Sequence, residues 1–158
     1  MSSIWLTGTS SGQTVTISRR PKVENHAGRD ELPSTLERSD DKAKRTWIKA
    51  HDSAVDSYGD GERAHRTAFA AVKHTHEKVG DRWEPKEQSG PSDKQAAGGA
   101  ASSDRPTAGG VDANASKKHL EQVARRLKIS GRSRMTKDQL VDAIRKANDR
   151  KTAQARGD

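Results

Sequence analysis

The chain has 158 residues and a formal net charge of +8, with 30 Lys and Arg against 22 Asp and Glu. Leu, Ile, Val and Phe together number 20, well below the fraction that ordinary cores need, which excludes a single large hydrophobic core. There are no cysteines, so disulfides, thiolate metal sites and cysteine nucleophiles are excluded together, and no apolar run approaches the roughly 20 residues of a membrane span.

Residues 1–31 hold a brief alternation, Val15-Thr16-Ile17, and a basic cluster, Arg19-Arg20-Pro21-Lys22. Neither is long enough to fold without a partner, so a disordered tail is expected. Met1 to Ser18 has no basic head and no sustained apolar centre, which argues against a secretory signal and for a cytoplasmic protein.

Between Asp40 and Tyr58 the residues Ala43, Trp47, Ala50, Ala54 and Tyr58 recur at helical spacing, with Ile48 and Val55 widening the stripe. Ser39, Asp40 and Asp41 supply a cap oxygen and negative charge for the start of this helix, and Gly59-Asp60-Gly61 ends it. A second periodic run, Ala64, Ala68, Ala71, Val72 and Val79 with Phe69 beside it, follows at once and stops at Gly80. The pattern predicts an αα-hairpin with alanines at the contact, Trp47, Tyr58 and Phe69 filling the remaining space, and Trp83 folding back as a lid.

Several of these residues together resemble the ChaB family: Leu32-Pro33 ahead of a helix, the aromatic Trp47, Ala54 and Tyr58 at the end of that helix, the block Ala68-Phe69-Ala70-Ala71-Val72-Lys73-His74, and Lys78 with Trp83. These are small bacterial proteins named as regulators of cation transport. The resemblance spans residues 32–86, and Phe69 stands where the family more often has Trp. It implies a helical module that recruits a protein partner.

From Gln88 to Ala115 the sequence is dominated by Gly, Ala, Ser and Pro and keeps no hydrophobic period. Residues 87–115 are therefore expected to be a flexible linker, leaving the flanking modules to tumble almost independently.

The C-terminal stretch predicts a second helical pair over residues 116–150, with a disordered tail at 151–158. Ser116 caps a helix whose apolar positions are Leu120, Val123, Ala124 and Leu127, closed by Ile129 and Gly131. Thr136 and Gln139 form a capping box for the next helix, with Met135 and Leu140 placed as a hydrophobic staple. Leu140, Val141, Ile144 and Ala147 then face the first helix, giving a small core and marginal stability. Leu120, Ala124, Leu127 and Ile129, the loop from Gly131 to Lys137, and Leu140 and Ile144 resemble the N-terminal domain of transcription termination factor Rho, a fold similar to the SAP helix-extended loop-helix. In Rho this domain precedes a base-stacking OB-fold. Here no aromatic residue lies beyond Trp83, so sequence-reading by stacking is not implied.

Charge is unevenly placed. Residues 31–86 carry equal numbers of basic and acidic side chains, whereas the stretch from Ala115 onward holds the whole surplus. Arg125, Arg126, Lys128, Arg132, Arg134 and Lys137, with Ser133, Thr136 and the free amides of the following helix, form a set of phosphate contacts. Nucleic acid, DNA or RNA, is the expected partner of residues 116–150, and an unidentified protein that of residues 32–86.

No metal, cofactor or catalytic set is expected. His74 and His76 point about 200° apart on a helix, and His51 and His65 fall on different helices. Asp40-Asp41 and Asp60-x-Glu62 sit at helix starts, where capping explains them. The sequence thus predicts an all-α, non-enzymatic protein of two small helical modules, an αα-hairpin and a helix-extended loop-helix, joined by a disordered linker. Nucleic-acid association, with a part in transcription termination or chromosome organisation, is the expected function; a regulatory adaptor for a cation transporter is the alternative.

Overall fold

The computed structural model describes residues 27–98 and 107–157. Residues 1–26 of the expected disordered tail at 1–31, residues 99–106 of the expected linker, and Asp158 lie outside the described residues. The chain forms α1 (Ala27–Asp30), α2 (Ser34–Glu37), α3 (Asp41–Tyr58), α4 (Glu62–Thr75), β1 (His76–Val79), β2 (Arg82–Pro85), α5 (Lys94–Gly98), α6 (Lys117–Arg126) and α7 (Lys137–Arg156).

Helix α3 starts where the Asp40 carboxylate accepts the Ala43 amide at 2.7 Å. It stops at Gly59, whose φ of 81° is open to glycine and costly to most other residues. The tight turn sends α4 back along α3, and alanines at the contact let the backbones approach. Leu36, Ala43, Trp47, Ala68, Val72 and Trp83 form the resulting core, with Phe69 packed against it. Trp83 does fold back: its amide donates to Ser39 Oγ at 2.7 Å, and its indole lies 3.4 Å from Thr35 Oγ1. Tyr58 does not join the core. It is 54% exposed, since α4 begins only at Glu62 and what meets its ring is the Arg63 guanidinium, 3.8 Å from the centroid.

The second helix ends earlier than its periodicity predicts. After Thr75 the chain becomes extended, and His76–Val79 pairs antiparallel with Arg82–Pro85, in the register Lys78 opposite Trp83. Gly80-Asp81 is the two-residue hairpin turn between the paired strands, so the otherwise helical fold gains a small β-hairpin. Val79, spaced as a helix-face residue, belongs instead to the second core.

That core unites Val79, Ala108, Val111, Leu120, Val123, Ala124, Leu140 and Ile144. Both expected caps are present: Ser116 Oγ accepts the His119 amide at 3.1 Å, and Thr136 and Gln139 form the reciprocal capping box. Met135 packs against the core as the staple requires. Helix α7 runs to Arg156, past the expected boundary at 150, and ends at Gly157 in the left-handed region.

The described flanks of the expected linker are packed, and hydrogen bonds run between the two modules. Ser92, Asp93, Ala96, Ala108, Val111 and Asp112 are buried. Gly110 passes so close to Trp83 that a Cβ there would lie 2.7 Å from the indole, and its carbonyl accepts the Lys78 amide at 2.8 Å. The glycine and alanine content that reads as linker also suits such close approach. Lys86 Nζ reaches Asp112 at 3.2 Å. Across the module boundary, Asn148 accepts from the Gly80 amide at 2.7 Å and donates to the Lys78 carbonyl at 2.8 Å. At the N-terminus, residues 27–31 of the expected tail are also held, through the Gly28 amide on Asp52 Oδ1 at 2.9 Å.

Asp93 organises the packed flanks. Its carboxylate accepts the amides of Ala96 at 2.8 Å and Ala108 at 2.9 Å, and Lys73 Nζ stands 3.4 Å away. Burial pushes its pKa up, but the two amides and the Lys73 ammonium outweigh burial and hold it below the ordinary carboxylate value. A depressed pKa contributes stability that is present above the unfolded-state value and lost as pH falls through the folded one. Asp93→Asn is therefore expected to cost about 1–3 kcal/mol in urea melts at pH 7. The difference from the parent should shrink at pH 3; an equal gap at both pH values would show that charge is not what fixes this loop.

Candidate nucleic-acid interface

The connection between α6 and α7 is built by local backbone chemistry. The Ile129 amide donates to Ala124 O at 2.9 Å and the Lys128 amide to Arg125 O at 3.0 Å, the paired bonds of a Schellman motif. The residue at its left-handed position, where glycine is usual, is Lys128, with φ 57°. Gly131 then turns the chain into the single 3-10 turn Arg132–Arg134, which leads to the Thr136 cap.

Arg125, Lys128, Ser133, Arg134, Thr136 and Lys137 are exposed along this connection. Among the described residues, Arg125, Lys128, Arg134 and Lys137 form no ion pair within 4.0 Å. Arg132 is half-buried, and its guanidinium donates to the Ile129 carbonyl at 3.1 Å, bracing the loop. Thr136 Oγ1 accepts the Gln139 amide at 3.3 Å, and the Thr136 amide donates to Gln139 Oε1 at 2.9 Å. The capping box therefore uses two of the groups expected to meet phosphate and leaves the first-turn amides of Lys137 and Asp138 without an intrahelical acceptor.

Arg126 differs from its neighbours. Its guanidinium makes a bidentate pair with Glu84 on β2, both bonds 2.8 Å, and the hydrogen bonds it donates to Glu84 raise its pKa further. Beside it, His119 Nε2 lies 2.7 Å from Glu77 Oε1. Burial pushes the Glu77 carboxyl above its ordinary value, with His119 acting in the opposite direction. Arg126 and His119 thus join the two modules, and the cationic surface consists of the remaining residues. Nothing in the sequence marked Arg126 as different, because its acceptor Glu84 lies on a strand that the helical pattern does not show. No described helix is long and apolar enough to cross a membrane.

The helical hairpin with its returning Trp83 and the helix-loop-helix with its capped second helix agree with the comparisons to known families. Residues 32–86 match the family model ChaB, and residues 117–152 match the model described as Rho termination factor, N-terminal domain. Among curated proteins and among solved structures no match to the chain is found. By the two family matches the chain therefore contains a ChaB domain at 32–86 and a Rho termination factor N-terminal domain at 117–152.

Proposed function

We propose that this is a non-enzymatic cytoplasmic protein that associates with nucleic acid through residues 116–150, with the ChaB domain as a protein-interaction unit. Arg125, Lys128, Arg132, Ser133, Arg134, Thr136 and Lys137 hold phosphates of DNA or RNA, in the setting of transcription or chromosome organisation. The observation that carries this reading is the set of exposed cations Arg125, Lys128, Arg134 and Lys137, which form no ion pair among the described residues. Two further facts support it. The domain matched is that of a transcription termination factor, and a lysine occupies a left-handed position at φ 57°, where a side chain costs roughly 1–2 kcal/mol relative to an unstrained site.

The test is a titration of the full chain with duplex DNA and with RNA at several salt concentrations. Each neutralised phosphate of B-DNA contributes roughly −0.9 to the slope of log affinity against log salt, so four or five contacts give a slope of about −4. Arg134→Ala should weaken binding to all sequences alike and make the slope shallower by about one. Lys128→Gly should do the same while holding or raising stability, which separates binding from folding. Arg126→Ala should leave the slope nearly unchanged, because Glu84 already occupies its guanidinium. If neither nucleic acid shows salt-sensitive binding, the reading falls and the transporter-adaptor function implied by the ChaB name takes its place.

A further inference from the structure

The antiparallel packing of α3 on α4 brings together two histidines that lie on separate helices. His51 Nε2 stands 3.3 Å from Glu31 Oε2 and His65 Nε2 stands 2.9 Å from the same oxygen. One donor atom from each of the three residues lies within 4.8 Å of the others. From this convergence we propose that Glu31, His51 and His65 bind a divalent transition-metal ion of the zinc type, which fastens the segment before the ChaB domain to the helical hairpin.

The chemistry of the donors fits. Two imidazoles and one carboxylate form a ligand set that suits zinc, with a fourth position left for water or an exchangeable ligand. A tetrahedral ion with bonds of roughly 2.0–2.1 Å places its donors about 3.3–3.4 Å apart. The Glu31–His51 separation already has that value, and the Glu31–His65 separation has to open by about half an ångström. Glu31 and His65 are each about one-third exposed, so an ion has access from solvent.

The surroundings hold the ligands in place. The His51 ring is fully buried and stacks on Trp47 with centroids 4.6 Å apart and planes 12° from parallel. His65 meets the same indole edge-on at 5.4 Å. Both ring nitrogens of His51 are buried without a hydrogen-bond partner, a state that costs free energy and calls for an explanation. An ion at Nε2 would supply one. On the far side of the ring, Asp52 Oδ1 lies 3.8 Å from Nδ1, where metal-bound imidazoles commonly keep an orienting carboxylate. Asp52 also accepts the Gly28 amide, and a Cβ on Gly28 would come within 2.9 Å of that oxygen. The glycine thus permits the close docking that carries Glu31 over the two histidines.

The experiment uses the full chain, stripped with a chelator and titrated separately with Zn²⁺ and Co²⁺. One equivalent of Co²⁺ should produce the visible absorption of a tetrahedral ion, which Zn²⁺ then displaces, and Zn²⁺ should raise the melting temperature. Glu31→Gln and His65→Gln, both at partly exposed positions, should keep the helical circular dichroism and weaken metal binding at least tenfold. His74→Gln, at an exposed position on α4, should bind as the parent does. Absence of Co²⁺ binding overturns the proposal. So does binding that survives both Glu31→Gln and His65→Gln, since the ion would then belong to other histidines.

Discussion

Trp47→Ala is expected to destabilise the ChaB domain by roughly 3–5 kcal/mol, the usual range for truncating a buried aromatic. Trp47 is wholly buried in the face of α3 that meets α4. Its ring contacts His51 at 4.6 Å, His65 at 5.4 Å and Phe69 at 6.1 Å. Two of the five other buried residues of that core, Ala43 and Ala68, are alanines, which cannot reach across to fill the space, so the cavity should persist. A small domain has little more than about 5 kcal/mol to lose, and the cooperative thermal transition followed by far-ultraviolet circular dichroism should weaken or vanish. The indole N–H is buried without a partner, so no hydrogen bond contributes to the loss. Trp47→Phe, which retains most of the volume and removes the unpaired donor, should therefore cost much less than Trp47→Ala. Equal losses for the two variants would mean that packing is not what Trp47 provides.

The same region shows what the sequence carried and what it did not. Helix periodicity and cap chemistry are local, so the cores of α3, α4, α6 and α7 and the Asp40, Ser116 and Thr136 caps could be read directly. Val79 shows the limit of that reading. It lies seven residues after Val72, which suits a continuing helix, yet Gly80-Asp81 is equally a hairpin turn, and pairing with Arg82–Pro85 decided the outcome. Tyr58 fits the stripe of α3 but lies outside the core beneath the Arg63 guanidinium, a fact of tertiary arrangement. His51 also fits that stripe, four residues after Trp47 and three before Ala54, and His65 lies four before Phe69. A signal for the histidine cluster was therefore present. Taking each helix separately hid it, because antiparallel packing is what makes Glu31, His51 and His65 neighbours.

The packed flanks of the linker lead to the second large effect, expected for Asn148→Ala. Asn148 is wholly buried and spends both ends of its amide on the hairpin turn of the other domain. Removing it leaves the Gly80 N–H and the Lys78 carbonyl without that partner, and at about 1–3 kcal/mol for each buried group the loss should be about 2–5 kcal/mol. The polar cross-domain pairs Arg126 with Glu84 and His119 with Glu77 are more exposed or strained by burial of the carboxyl, and should not compensate. Lys78 adds to the strain, since burial pushes its amine below the ordinary lysine value. The measurement uses the placement of the tryptophans: Trp5, Trp47 and Trp83 all precede the Rho-type domain. Indole fluorescence therefore reports on the ChaB half, and circular dichroism reports on both. In urea the two probes should trace one transition for the parent chain and separate for Asn148→Ala. If they already separate in the parent, the domains unfold independently, as a freely flexible linker would require, and the Asn148 contact does not couple them.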